Sequence, residues 1–469
     1  MSNSLCWFRS DLRVQDNLAL QAAVAKGPTV GLYIATPKQW QKHDDAPIKL
    51  DFWRRNLLEL ESSLGKLGIP LVICQVADYA AVPAVIKDLI EKLEITALAF
   101  NAEYPLYEAC RDEEVSMLCQ ALGVEVEPCH DQVLLQPGSI LNNSGEPFKV
   151  FTPFSKKCRA NLYVPDTAGT ITALKSSAPA FSAIAKLSIA GQCSVKEVDW
   201  PHADPVWVDL WPAGEAHAQK LLKEFRTARI RDYKKNRDFP AITGTSSLSP
   251  WINAGVISIR DCWRQATASH QGEGPETWKN ELLWREFYRH IFFHYPQVSK
   301  KQPFKNNVGH VPWRHDEAEF KLWCEGRTGV PIIDAAMRQL LETGWMHNRL
   351  RMITAMFLSK HLLIDWRWGE QWFMQNLIDG DFSANNGGWQ WSASTGTDSV
   401  PYFRVFNPVT QSRRFDEAGD FIRHFVPELE ELDNKTIHEP GLFRPEQYPV
   451  PMIDLKFGRE RALAAFKQQ

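Results

Sequence analysis

The sequence predicts an α/β N-terminal domain, built on a parallel, Rossmann-like sheet without a GxGxxG turn, joined by a long connector to an all-α domain. Three observations predict it. Over residues 1–130 short apolar runs alternate with helical patterns; over residues 131–200 that rhythm fades into a stretch rich in Pro, Ser, Ala and Gly; over residues 201–469 the apolar spacing is helical almost throughout. Twelve of the 18 tryptophans fall after residue 250, so any aromatic chemistry belongs to the helical part.

The strand candidates are Leu5–Phe8, Thr29–Ile34, Leu71–Gln75, Ala97–Asn101 and Val124–Glu127, and between them lie helical patterns at Asp51–Leu67, Val82–Leu93 and Glu108–Leu122. Strands separated by helices of this length pair in parallel through right-handed crossovers. The first strand is not followed by G-x-G-x-x-G, so a dinucleotide is not held here in the usual way. In the connector, AGTITALKSSAPAFSAIA has no helical face and reads as chain running over the surface.

A length of 469 residues suggests two to three domains, and 44% hydrophobic with 23% charged residues is ordinary for a soluble globular protein. No apolar run reaches the ~18 residues of a membrane span, and the start MSNSLCWFRSD lacks a signal-peptide pattern. Nine cysteines without a C-x-x-C pair argue against a disulfide framework or a zinc site and for a reducing cytoplasm; Cys129 and His130 read as unrelated neighbours, and no metal is expected. The net charge of −3 hides an asymmetry. Residues 1–130 carry 12 basic and 18 acidic side chains, whereas residues 221–310 carry 15 and 8. A local excess of +7 is either a solvated face or what a phosphate backbone requires.

Four segments carry candidate chemistry. GTSSLSP at 244–250 places Thr245, Ser246, Ser247 and Ser249 around an expected helix start, where free N–H groups favour phosphate; an ordinary N-cap needs only one of these hydroxyls. In TWKNELLWREFYRHIFFHY, Glu281, Trp284, Arg285 and Tyr288 share one helix face. Either Glu281 and Arg285 form a structural ion pair, or a carboxylate stands beside an aromatic platform that suits a flat polar ligand. GWMHNRLRM puts Asn348, Arg351 and Met352 on one face, which also fits a mixed core–surface helix. From Asp379 to Phe406 the chain reads DGDFSANNGGWQWSASTGTDSVPYFRVF, where carboxylates, amides, glycines and two tryptophans crowd together with little aliphatic filler. A tightly turned aromatic core is the alternative to a site for something flat.

These four motifs and LCWFRSDLRVQDNLAL at 5–20, in this order, resemble the DNA photolyase/cryptochrome family, particularly bacterial class I cyclobutane pyrimidine dimer (CPD) photolyases, over nearly the whole chain. The resemblance implies a helical FAD-binding domain. Tyr233 would touch the cofactor, and Thr245, Ser246, Ser247, Leu248 and Ser249 would grip its pyrophosphate. Trp278, Glu281 and Arg285 would line it; Arg351 would pair with Asp379 near the isoalloxazine, Asp381 would lie alongside, and Asn385 would face flavin N5.

The same resemblance implies light-driven CPD repair by electron transfer from excited reduced FAD to a flipped-out dimer. Glu281 would hydrogen-bond the dimer, Trp284 and Trp391 would stack at the lesion, Asn348 would reach flavin and lesion, and Met352 would pack on the lesion. Arg237, Arg285 and Arg349 would hold flanking DNA phosphates. Trp313, Trp366 and Trp389, each unremarkable as packing, match an electron-transfer chain from surface to flavin. His43, Glu108 and Lys300 match contacts to a folate antenna, 5,10-methenyltetrahydrofolate, although Tyr107 stands where an Asn is usual and Ser299 where close relatives carry Cys. The partner would be damaged DNA and the protein a cytoplasmic monomer with no membrane association. A cryptochrome-type photoreceptor is the rival; it would be expected to lose Glu281, Trp284, Met352 or Trp391, and all four are present, with no long C-terminal tail. A flavin oxidoreductase for small molecules fits less well, given the basic segment and the missing nicotinamide fingerprint.

Overall fold

A computed structural model describes residues 3–165, 188–269, 271–305 and 311–467. The chain divides into two compact units. One comprises Met1–Phe148, Pro153–Ile230 and Ser246–Pro296; the other comprises Lys149–Thr152, Arg231–Thr245 and Gln297–Gln469.

The first unit holds a six-stranded sheet. Strands β1 (Asn3–Phe8), β2 (Thr29–Ala35), β3 (Leu71–Gln75), β4 (Ile95–Asn101) and β5 (Glu125–Cys129) stand within two residues of their predicted positions, and β6 is the short pair Gln192–Cys193. The order is β5-β4-β1-β2-β3-β6. Neighbours from β5 to β3 are parallel, as the alternation requires. Central β2 is buried along its whole length, which explains its continuous apolar run. Crossover helices include Pro47–Lys66, Val82–Leu93 and Leu106–Ala121. The first starts four residues before its predicted beginning, at a proline whose missing N–H costs nothing in the first turn.

Two expectations need correction. The sheet is not wholly parallel: β6 pairs antiparallel with β3, Ile73 opposite Cys193. This strand comes from the expected surface connector, which therefore contributes to the fold. Gly191 makes the approach possible, because at φ 71° a Cβ there would stand 2.4 Å from the Gln75 carbonyl oxygen. The connector segment AGTITALKSSAPAFSAIA lies outside the described residues.

A buried ion network braces the same unit. Arg13 and Arg260 converge on Asp131 at 2.5 and 2.7 Å, and Arg264 reaches Asp16 at 2.8 Å. Burial pushes the Asp131 carboxyl up, but the two arginines outweigh it and hold the group below its ordinary range.

The second unit is helical around one aromatic-rich core that includes Trp323, Ile333, Phe357, Trp366, Phe373, Trp389 and Tyr448. Its main helices are Pro331–Thr343, Asn348–Met356, Trp366–Asn376 and Phe382–Ser392. Helix does not continue through the last third as evenly as the spacing suggested. Residues 430–454 contain only a short 3-10 turn, Gly441–Phe443, because Pro440, Pro445, Pro449 and Pro451 deny helical N–H groups. That stretch is tied down by Tyr448, whose hydroxyl donates to Asp334 at 2.5 Å, and by the Met452 N–H, which donates to the Thr328 carbonyl.

Candidate active site

In the first unit, helix Glu273–His294 buries Leu282, Leu283, Glu286, Phe287, Arg289 and His290. Glu281, Trp284, Arg285 and Tyr288 all stay half-buried, as a stripe one turn apart along the helix. The Trp284 and Tyr288 rings lie 5.8 Å apart at 33°, and Trp284 meets Phe287 edge-on at 5.9 Å. Arg285 donates from Nη1 to the Gln132 carbonyl at 2.5 Å, which fixes its stem. Glu286, on the opposite face, accepts from the Leu134 and Leu135 N–H groups at 2.8–3.0 Å and thereby locks the helix to the chain after β5. Trp278 is buried and packs edge-on against Phe225 at 4.8 Å.

The hydroxyl-rich segment differs from the expected helix start. Ser249–Asn253 is a single turn of five residues, so its dipole is small, and Leu248 rather than a serine occupies the capping position. Ser247 takes φ 54°, a left-handed conformation uncommon for a side-chain-bearing residue. The Ser246 hydroxyl accepts from the Leu248 N–H at 3.4 Å. Hydroxyls and backbone N–H groups, not a helix macrodipole, are therefore what this turn offers an anion. Gly244 precedes it; a Cβ there would stand 2.6 Å from the Asn236 carbonyl oxygen. Tyr233 is buried in the second unit, and the Arg237 guanidinium lies 5.6 Å from its ring.

In the second unit His347 caps helix Asn348–Met356, its Nδ1 accepting from the Arg349 N–H at 3.2 Å. Asn348 is exposed at the first helical position, with Arg351 and Met352 half-buried one turn on. Arg351 donates from Nη2 to both oxygens of Asp379, at 3.0 and 2.8 Å, and from Nε to the Met346 carbonyl. Asp381 caps the next helix by accepting from the Ala384 N–H at 2.8 Å. The amide of Asn385 donates to the Glu370 carbonyl at 2.9 Å, which fixes its plane. Asn386 accepts from Gln390 at 2.8 Å, one turn along the same helix. Asp379 is thus engaged by an arginine and Asp381 by a helix end.

The three candidate relay tryptophans belong to one core. Trp366 and Trp389 are buried, and half-buried Trp313 packs against the cluster that holds them. Trp389 touches Phe373 and Trp323 edge-on, at 5.0 and 6.0 Å. Its indole N–H is buried with no acceptor among the described residues. Trp391, on the same helix, is half-buried. Arg349 pairs with Asp238 at 2.8 Å, and Arg237 approaches the same carboxylate at 3.7 Å.

Of the antenna residues, His43 and Glu108 meet in the first unit at 3.3 Å, with the Tyr79 hydroxyl donating to Glu108 at 3.2 Å. Burial pushes the Glu108 carboxyl up, opposed by His43. Tyr107 is 51% exposed, and its ring is 6.1 Å from that of His43. Exposed Lys300 and buried Ser299 lie in the second unit. All nine cysteines are free thiols. No described helix is long and apolar enough to cross a membrane.

Comparison with known proteins decides the family. A family model described as the FAD binding domain of DNA photolyase matches residues 278–468, and one described as DNA photolyase matches residues 4–173. The chain is 44% identical to a deoxyribodipyrimidine photo-lyase of Vibrio cholerae, over 99% of both chains. It belongs to the DNA photolyase family. The Escherichia coli deoxyribodipyrimidine photo-lyase is 41% identical over 100% of this chain and 99% of its own. A bacterial class III photolyase from Agrobacterium tumefaciens superposes with a TM-score of 0.85 at 34% identity, over 100% of this chain and 98% of the other.

The photolyase fold here is the expected one, an N-terminal α/β domain followed by a mostly helical FAD-binding domain. The residues fit that cofactor. The turn at Thr245–Ser249 is rich in hydroxyls suited to a pyrophosphate, Arg351 and Asp379 form a neutralised pair, and Asn385 presents an oriented amide.

Proposed function

We propose that the protein repairs cyclobutane pyrimidine dimers in DNA in a light-dependent reaction. The observation that carries this reading is the half-buried stripe of Glu281, Trp284, Arg285 and Tyr288 on a helix that buries Leu282, Leu283, Glu286, Phe287, Arg289 and His290 around it. Two aromatic rings beside a carboxylate suit a flat, carbonyl-bearing ligand: Trp284 offers the stacking surface, and the Glu281 carboxyl, when protonated, donates to a pyrimidine carbonyl. By the family resemblance, Met352 would offer the lesion a soft apolar side chain and exposed Asn348 an amide.

Reduced FAD, when bound, supplies the light-excited electron. Thr245 and Ser246–Ser249 hold its pyrophosphate, with Tyr233, Trp278, Arg285 and Asp381 as further contacts. Arg351 and Asp379 would bring one positive and one negative charge to the ring system, and the Asn385 amide would stand near N5. Trp389, Trp366 and Trp313 serve as the relay to the surface. Arg237, Arg349 and Trp391 take the DNA flanking the lesion. His43, Glu108 and Lys300 hold a folate antenna. The chain acts as a cytoplasmic monomer, which sedimentation would test.

The deciding experiment illuminates the purified, flavin-loaded protein with oligonucleotides that carry either a cyclobutane dimer or a (6-4) photoproduct, beside dark controls. The residue four positions after Asn348 is Met352, with no histidine pair at that face for (6-4) chemistry. Light-dependent loss of the cyclobutane dimer alone is expected. Equal repair of both lesions, or none of either, overturns the reading.

A further inference from the structure

One carboxylate stands where a phosphate-binding surface would not be expected to carry it. Asp238 closes the run RDYKKNRD, after Arg231, Lys234, Lys235 and Arg237 and one other acid, the exposed Asp232. Its Oδ1 is 2.8 Å from Arg349 Nη2 and 3.7 Å from Arg237 Nε. Its side chain is 33% exposed, more than either arginine at 18% and 20%. All three side chains of the trio therefore reach solvent.

Arg349 is also held from a second direction. Its guanidinium lies 4.4 Å from the Phe415 ring, which Phe239 meets edge-on at 6.2 Å. Ring and carboxylate together fix the fork, so an incoming phosphate oxygen meets a guanidinium already occupied by an anion. A half-exposed ion pair of this kind contributes little to stability, so folding alone gives weak reason for an acid in this basic run.

We propose that Asp238 is an internal anion that competes with DNA phosphate for Arg349 and Arg237, and thereby limits binding to the DNA backbone. The inference rests on the reading of these two arginines as phosphate ligands. Backbone affinity arises from phosphates replacing condensed counterions, and a carboxylate already seated at Arg349 removes one such exchange. Undamaged DNA offers vastly more sites than lesions do, so lowering this sequence-independent term shortens the time spent on it.

Direct titration tests the idea with the full, flavin-loaded chain and fluorescent oligonucleotides, undamaged or carrying one dimer, over a range of salt concentrations. Asp238→Asn keeps the shape and removes the charge. It should bind undamaged duplex about fivefold tighter at low salt, and its plot of log affinity against log salt should steepen by about 1. Asp238→Glu should behave as the parent does. A misfolded variant loses affinity, so a gain cannot come from damage to the fold. Unchanged or weaker binding by Asp238→Asn, with the parent's salt slope, overturns the proposal and makes Asp238 a support for the arginines. Arg349→Ala and Arg237→Ala separate the two levels: if neither weakens binding to undamaged DNA, the phosphate-ligand reading itself fails.

Discussion

Arg351 places a single guanidinium nitrogen against both carboxylate oxygens of Asp379, at 3.0 and 2.8 Å. The Asp379 side chain is 4% exposed and that of Arg351 26%, so the carboxylate is internal to the second unit while the guanidinium is partly exposed. Removing one partner strands the other charge. Arg351→Ala should cost ~3–5 kcal/mol in urea unfolding, whereas the double variant with Asp379→Asn should recover most of that loss. The same single variant should release FAD on dilution, read as the flavin-to-protein absorbance ratio. A single variant that unfolds like the parent and keeps its flavin would show the pair to be incidental.

Trp389 is packed against the backbone of Gly369, where an added Cβ would come within 2.1 Å of the indole ring. Gly369→Ala should therefore displace the ring and destabilise by ~1–3 kcal/mol, measured by thermal melting. Trp389→Phe keeps an aromatic ring but removes the oxidisable indole. It should abolish photoreduction of oxidised flavin and leave an already reduced enzyme able to repair. Photoreduction at the parent rate would point to a bypass, for which Trp323, with its ring 6.0 Å away, is a candidate.

Burial pushes the His347 imidazole down to about 4, with Asp238 opposing and Arg349 reinforcing the shift. The neutral ring is the form that caps the helix, since Nδ1 accepts the Arg349 N–H. The unfolded chain takes up a proton below ~6.5, while the folded chain refuses it until pH 4 is approached. Stability from this group is therefore full above pH 6.5, falls by up to ~3 kcal/mol as pH drops to 4, and is flat below that. Asp416, which burial pushes up to about 6, works in the opposite direction over part of the range. His347→Asn retains a capping side chain without the titration. The difference between the two pH–stability curves should carry the 6.5-to-4 slope; parallel curves would rule it out.

The sequence was most legible where burial leaves a regular mark. Parallel strands covered on both faces give unbroken apolar runs, and β1 to β4 stand within two residues of where those runs placed them; β5, at the sheet edge, is largely exposed. β6 has two residues and pairs antiparallel, too short for any periodicity to announce it. Face-sharing along helix Glu273–His294 was also readable, because spacing fixes which residues line up. Spacing does not say which face meets protein. Glu286, five residues after Glu281, is the fully buried carboxylate that caps two backbone N–H groups, and nothing local marks it. Arg13, Asp131 and Arg260 meet across more than a hundred residues of sequence, a relationship with no local signature at all. At Thr245–Ser249 the composition and the helix start were legible and the local geometry was not, since Ser247 is left-handed and the helix that follows is a single turn. Asp238 did leave a signal, an acid at the end of a basic run, which becomes interpretable only once Arg349 is seen beside it.

Glu281 separates two readings of the stripe that share one geometry. As a lesion ligand, its carboxyl hydrogen-bonds the dimer carbonyls and stabilises the negative charge that arrives with the electron. Its loss then lowers repair per absorbed photon and weakens binding to dimer-containing DNA, while flavin content and melting temperature stay near the parent's. As a structural partner of Arg285, its loss leaves a half-buried guanidinium without its carboxylate, and stability moves instead. That cost would be at most ~3–5 kcal/mol, the value for fully buried pairs, and smaller here because both residues are half-buried and Arg285 keeps the Gln132 carbonyl. Glu281→Gln sharpens the comparison, since an amide can still donate to a carbonyl but cannot carry charge. For a ligand, Gln should retain part of the repair yield that Ala loses; for an ion partner, Gln and Ala should destabilise alike. We expect repair yield to fall several-fold in Glu281→Ala, to recover in part in Glu281→Gln, and melting temperature to move by no more than a degree or two in either. A large drop in melting temperature, with normal yield in the folded fraction, would assign Glu281 to the scaffold.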